Sequence, residues 1–399
     1  MFSYFGVVGG SSQKTKGIRQ AMKLHARLRY AVLVVLIVLF ALTQLPSSNA
    51  QQPAVPHLPP PAAGRIQVKF VVVANFEPGE DTGDAPGEFQ LWAEREHLDE
   101  TIEIKGALHP LRRNKEGLYG IRWGSSGNLV AEDEVVGLTA LVLDPRFDFS
   151  KTYWLFTGIS GVDPNAASVG SAAWARWVVG GDAMREFDDR EIPTDWPYGL
   201  FAIGAKQPNE LPNDPHSYAG MTGVGELGSA IELNQGLTAW AFEKTKNVHI
   251  PDSPSLQKER SLWRGYPNAQ RPPFVMMGET LGSWRYWHGA KRTQWAEDWV
   301  RLWTGGRGTF VMTNMESQTL TGAMWTLSKQ GLVDFHRVMV LRTASNPSMP
   351  PPGVLNTQSV GDEGPGQMAA FEANYRVGVP IAHEIIEHWS KYENSVPSK

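Results

Sequence analysis

The sequence predicts an α/β fold, a single domain whose central, mostly parallel or mixed sheet is flanked by helices. Three observations carry that reading. Short apolar, β-branched runs recur along the chain, segments with helical periodicity lie between them, and the alternation continues from Arg65 to the C-terminus. The chain has 399 residues, 42% hydrophobic and 20% charged, enough apolar material for one sizeable core.

Taken in order, Ile66 to Ala74 (IQVKFVVVA) is a buried strand that ends at the turn signal Asn75-Phe-Glu77-Pro-Gly79. Leu118 to Trp123 and Asn128 to Ala131, joined by Gly124-Ser-Ser-Gly127, read as a hairpin. Glu134 to Leu143 reads as a helix stopped by Asp144-Pro145, and Thr152 to Thr157 as a strand closed by Gly158-Ile-Ser160-Gly161. Phe274–Met277, Phe310–Thr313 and His336–Leu341 are short apolar strands followed by polar residues. Helices are expected at Ser229–Lys244, Arg292–Trp303, Ser317–Lys329 and Gly366–Lys391. Trp295, Trp299 and Trp303 share one helix face, which is a core stripe rather than a stacking platform.

Charge is placed unevenly. No Asp or Glu precedes Glu77, whereas Lys14, Lys16, Arg19, Lys23, Arg27 and Arg29 precede the apolar run Ala31–Leu42 and a Ser48-x-Ala50 ending. That order of features reads as a signal peptide over 1–50, with a single N-terminal anchor as the alternative. The expected location is therefore periplasmic or secreted, or else anchored to a membrane. Residues 51–64 form a Pro-rich linker and 65–399 the folded domain. A formal net charge of −4, about −10 without the basic leader, gives no reason to expect a nucleic-acid partner. The chain has no cysteine, so neither disulfides nor a thiol nucleophile enter.

Several motifs fail on context. Gly223-Val-Gly225-Glu-Leu-Gly228 has dinucleotide-fingerprint spacing but follows no strand. His383 and His388 lie five apart on a helix, not at the i, i+4 of a zinc motif, so no metal is expected. What remains is positional. Glu77, Gly158–Gly161, Gly278–Thr280, Thr313–Glu316 and Arg342–Asn346 each follow a predicted strand, where open α/β sheets bind ligands. Glu316 is the only charged residue between Arg307 and Lys329. It sits beside a core strand, where a carboxylate must cap a helix or hold a ligand.

The segments FVVVANFEPGED, FTGISGVDPN, TNMESQTL and VLRTASNP resemble the purine nucleoside permease family and, more distantly, the nucleoside phosphorylase and nucleosidase superfamily. The resemblance implies a nucleoside-phosphorylase-like fold and a purine nucleoside ligand. It implies that Met315 and Glu316 hold the ribose, with the Glu on the 2′- and 3′-hydroxyls. Glu77 falls where nucleosidases keep a water-activating Glu, and Gly158, Ser160 and Gly161 match a loop that touches sugar or phosphate. Asn346 stands where many members have a proton-donating Asp. An amide delivers no proton but bonds N7 and O6, which favours a 6-oxopurine such as inosine or guanosine. Gly278-Glu279-Thr280 is a looser match to a Gly-Asp segment near the pocket.

The implied activity is cleavage of the N-glycosidic bond, as nucleosidase or phosphorylase, with no cofactor and phosphate as a candidate co-substrate. The alternative is a binding protein without chemistry that serves nucleoside uptake through a membrane transporter. An oligomer is compatible with either. One short apolar segment cannot build a transport pathway by itself.

Overall fold

The computed structural model describes residues 64–124, 131–213, 229–361 and 364–399. The expected signal peptide, nearly all of the linker, the glycine fingerprint at 223–228 and residues 128–130 of the expected hairpin lie outside them. Among the described residues, no helix is long and apolar enough to cross a membrane.

Twelve described strands make one large mixed sheet. They are β1 (Phe70–Ala74), β2 (Glu100–Ile102), β3 (Leu111–Arg113), β4 (Leu118–Arg122), β5 (Tyr153–Val162) and β6 (Ala172–Trp174). Then come β7 (Trp177–Gly180), β8 (Ala230–Glu232), β9 (Val275–Met277), β10 (Glu279–Gly282), β11 (Phe310–Asn314) and β12 (Val338–Pro347). The helices that cover it are α1 (Gln90–Arg95), α2 (Ala131–Val142), α3 (Gln235–Thr245), α4 (Ala290–Trp303), α5 (Ser317–Lys329) and α6 (Gly366–Glu387).

The centre is parallel: β1 lies between β4 and β5, and β12 runs beside β5 along its length. A strand buried on both faces needs apolar side chains at every position, and β1 supplies them as Phe-Val-Val-Val-Ala. Val71 and Val73 join the core under α2 and α5 with Leu138, Leu141, Leu320 and Met324. Phe70, Val72 and Ala74 join the opposite core under α1, α3 and α6 with Trp92, Leu237, Val377 and Ile381. Trp295, Trp299 and Trp303 fill a third cluster between α4 and β10, as their spacing requires.

Four expectations are corrected. Leu118–Arg122 finds its antiparallel neighbour in the preceding β3, and Ala131 opens α2 instead of closing a strand. The segment from Ser229 first makes β8, and the helix begins only where Asn234 caps it by accepting from the Leu237 N–H at 3.2 Å. The C-terminal helix stops at Glu387, and Trp389–Tyr392 forms a separate turn. The largest difference concerns β5 and β12. Each runs ten residues, straight through Gly158–Gly161 and Arg342–Asn346. Their parallel register extends from Trp154 opposite Val338 to Val162 opposite Pro347, and this pairing overrides the turn character of both segments.

That length creates an opening. On the edge of β5 away from β12, β1 pairs only with Tyr153–Phe156 and β11 only with Gly161 and Val162. Between those registers no described strand pairs with this edge of β5, and the sheet parts there.

Candidate functional site

The gap beside β5 is the floor of a cavity. Asn75 and Phe76 enter after β1, Ile159–Gly161 from β5, Arg285–Trp287 after β10, Thr313–Glu316 from the end of β11, and Ser345–Asn346 from β12. Sequence reasoning placed most of these segments at one end of the sheet, and the structure brings them to one cavity. It does not bring Glu77 there.

Glu77 is fully buried, but its carboxylate accepts the backbone N–H groups of Gly87 at 2.5 Å, Phe89 at 2.8 Å and Gln90 at 2.9 Å. It anchors the chain that enters α1 and does not line the cavity. Burial pushes its pKa up, against those three N–H groups and the nearby Arg122. The carboxylate that does line the cavity wall is Glu88.

The Glu88 carboxylate fills the break in the sheet as a strand would. Its Oε2 accepts from the Asn75 and Phe76 N–H groups at 2.8 Å each, and its Oε1 from the Ile159 N–H at 2.6 Å. Burial, reinforced by the nearby Glu316 carboxylate, raises its pKa to about 7.

Glu316 stands at the N-cap of α5 but does not cap it. That task falls to Asn314, whose Oδ1 accepts from the Glu316 and Ser317 N–H groups at 3.1 and 2.8 Å. The Glu316 carboxylate is thereby left to face the cavity. Its Oε1 receives Nη1 of Arg342, and its Oε2 accepts from the Met315 N–H at 3.0 Å. Arg342, 1% exposed, also donates from Nε and Nη2 to Ser317 Oγ at 2.9 and 2.6 Å. Beneath them Glu134 of α2 accepts from Asn75 Nδ2 at 3.0 Å, and its pKa rises to about 9 through burial and the Glu316 charge.

Gly158 is not part of an anion nest, because it lies within β5. Its missing side chain is what admits the cluster: a Cβ there would stand 2.5 Å from Glu88 Oε1 and 2.7 Å from Arg342 Nη1. A Cβ at Gly161 would meet the Thr313 methyl at 2.9 Å and Asn346 Nδ2 at 3.5 Å. Between these glycines Ser160 is buried and lines the cavity, and its Oγ has no hydrogen-bond partner among the described residues.

Asn346 follows an irregularity in β12 between Ala344 and Asn346, the kind of bulge that re-aims a side chain. Ser345 Oγ donates to its Oδ1 at 2.8 Å, which turns Nδ2 towards Tyr286 OH at 3.3 Å. Glu279 lies outside the cavity, with its carboxylate on Arg176 at 2.5 Å and on the Trp177 N–H at 2.8 Å. Sequence reasoning missed Glu88, Arg342 as an ion-pair partner, Glu134 and Tyr286. No motif signals Glu88, because the resemblance pointed to Glu77 at the strand end and not to the carboxylate that the loop carries back.

The fold and site define an α/β protein with a carboxylate-lined cavity where its mixed sheet splits. The chain belongs to the purine nucleoside permease family, whose model matches residues 67–397. A purine nucleoside permease of Candida albicans is 29% identical over 263 residues, 65% of this chain and 62% of that protein. A relative named a probable purine nucleoside permease in Schizosaccharomyces pombe is 28% identical over 262 residues, 63% of this chain and 72% of its own. The chain thus spans less than two thirds of the Candida relative. Among solved structures, a 5′-methylthioadenosine/S-adenosylhomocysteine nucleosidase of Colwellia psychrerythraea superposes with a TM-score of 0.46 at 12% identity, covering 84% of this chain and 100% of its own. A futalosine hydrolase of Helicobacter pylori gives 0.42 at 12% identity, covering 80% and 98%. Likeness at that level transfers no activity.

Proposed function

We propose that this protein binds a purine nucleoside in the Glu88–Glu316–Asn346 cavity and cleaves its N-glycosidic bond. The observation that supports this reading is the pair of buried carboxylates in one cavity wall. A pocket that only holds a neutral nucleoside gains little from a second desolvated carboxylate. A pocket that stabilises a cationic, oxocarbenium-like sugar gains from both, since their charge meets charge that develops only in the transition state.

Each oxygen of Glu316 keeps a lone pair beyond its present bond, enough to accept one hydroxyl of the ribose diol. Met315 packs against the sugar, and the Ser160 hydroxyl is placed to take a further sugar hydroxyl. Asn346 Nδ2 and Tyr286 OH are two donors facing N7 and O6, both acceptors in a 6-oxopurine. The base exchanges the long bond between those two side chains for its own. The basic and apolar pattern over 1–50 supports export, with the reaction outside the cytoplasm.

The names of the relatives favour a second reading, in which the same cavity captures nucleosides for uptake without chemistry. Incubating the purified full-length protein with inosine or guanosine and assaying the free base separates the two. Base release at catalytic turnover supports cleavage. Saturable binding with no release supports the uptake reading.

A further inference from the structure

We infer that the bond is broken by water, and that the cavity is closed to phosphate. This deepens the bond-cleaving reading and rests on it. The charge arrangement carries the argument. Glu88 and Glu316 form the inner wall, Glu134 lies directly behind Asn75, and all three are at most 6% exposed. One buried cation, Arg342, faces them, and it is held by Glu316 and Ser317. Glu316 takes up the guanidinium charge, and Glu88 and Glu134 add no positive charge in either protonation state, so the wall has no spare cation to hold an anion.

A phosphate site also needs donors, and the backbone here offers none in a cluster. Gly158–Gly161 is extended strand, so successive N–H groups point to opposite edges. The Ile159 N–H is already given to Glu88. Arg285, the one cation among the residues lining the cavity, sits at its mouth, more than half exposed and paired with Glu186 at 2.7 Å. The unpartnered Ser160 Oγ is a second, independent pointer to the occupant. It is buried and neutral, suited to a water or a sugar hydroxyl. The raised pKa values of Glu88 and Glu134 agree with this, since the wall resists further negative charge.

In the step itself, the water oxygen bonds to C1′ as the C1′–N9 bond breaks. The water gives a proton to Glu88, whose Oε1 holds only one N–H. The electron pair of the broken bond leaves on the purine, where Asn346 bonds N7 and solvent supplies the proton. Glu88 then returns its own proton to solvent. The sum is nucleoside plus water giving ribose plus purine.

The test uses the full-length protein with inosine, with and without millimolar inorganic phosphate, and identifies the sugar product. Free ribose at a rate independent of phosphate is expected, and ribose 1-phosphate or a phosphate requirement overturns the inference. Glu88→Gln is expected to slow release by about 10²-fold while leaving hypoxanthine affinity unchanged. A Glu88→Gln variant as fast as the parent would also overturn it. Titration calorimetry of hypoxanthine with and without phosphate reads the anion question without turnover. Absence of base release under every condition defeats the bond-cleaving reading, whereas phosphate that tightens or displaces hypoxanthine defeats the closed-to-phosphate inference on its own.

Discussion

Glu77 and Glu88 follow the same strand and each accepts three backbone N–H groups, but only Glu88 lines the cavity. Glu77 accepts three backbone N–H groups and faces no cavity. Glu77→Gln turns an amide nitrogen against one of those donors, so a loss of about 2–3 kcal/mol is expected in urea unfolding. Turnover per folded molecule and its pH profile are expected to stay as in the parent. A collapse of turnover with stability intact would return the base to Glu77. Glu316 couples both roles. Glu316→Gln leaves buried Arg342 without its counter-charge, a change of about 3 kcal/mol or more. It is expected to abolish inosine binding as well. Burial raises Glu88 to about 7, and its carboxylate form is the base in the proposed hydrolysis. The rate of release is therefore expected to rise with pH through about 7, measured as kcat/KM on inosine. An acid limb that persists unchanged in Glu88→Gln would contradict that assignment.

At the scale of elements, the same rule that made the fold legible hid part of the site. The Phe-Val-Val-Val-Ala run of β1 and the α5 helix at Ser317–Lys329 could be read directly, because continuous apolar or 3.6-period patterns have few alternatives. Gly-Ile-Ser-Gly and Arg-Thr-Ala-Ser-Asn read as turns, and only their parallel pairing to each other keeps them extended. That pairing is non-local and leaves no mark in either segment. The segments holding Met315, Glu316, Ser160 and Asn346 were legible for their position at the sheet end, whereas the ion pair between Arg342 and Glu316 depends on two strands meeting. Glu88 was illegible for the same reason, since a loop returns it to β5. Gly158 is the point where these elements touch. Gly158→Ala places a methyl carbon within 2.5 Å of Glu88 Oε1 and 2.7 Å of Arg342 Nη1, so both groups must move. Loss of nucleoside turnover with about 1–3 kcal/mol of destabilisation is expected. A Gly158→Ala variant with parental turnover would show that the cluster tolerates displacement and is not the reacting site.

Over the whole molecule, the buried cluster leaves a signature in the dependence of stability on pH. Burial raises Glu88 to about 7, Glu134 to about 9 and, near the end of β5 beside Glu297, Asp163 to about 7. In the unfolded chain these groups ionise near 4 to 4.5. Below that range both states are protonated and their contribution is fully present. As pH rises through the window up to 7–9, the unfolded chain releases protons that the native state retains, and stability falls. The opposite set works at the acid end. Glu372, lowered by its bond to Arg95, and Asp252, lowered by its bond to Arg260, stabilise the fold above about pH 4 and lose that contribution as pH drops. Between the two sets the stability maximum is expected at about pH 4–5, near the unfolded carboxylate pKa values. The decline is expected to be steepest up to about pH 7, where all three groups titrate, and gentler towards about 9, where Glu134 alone remains. Calorimetric Tm values from pH 4 to 9 should show that decline. Glu134→Gln, which cannot ionise, should flatten it most, because Glu134 is raised furthest of the three. A Tm that stays level or climbs above pH 6 in the parent protein would mean that the cluster ionises freely, and that the wall facing the nucleoside is solvated rather than buried.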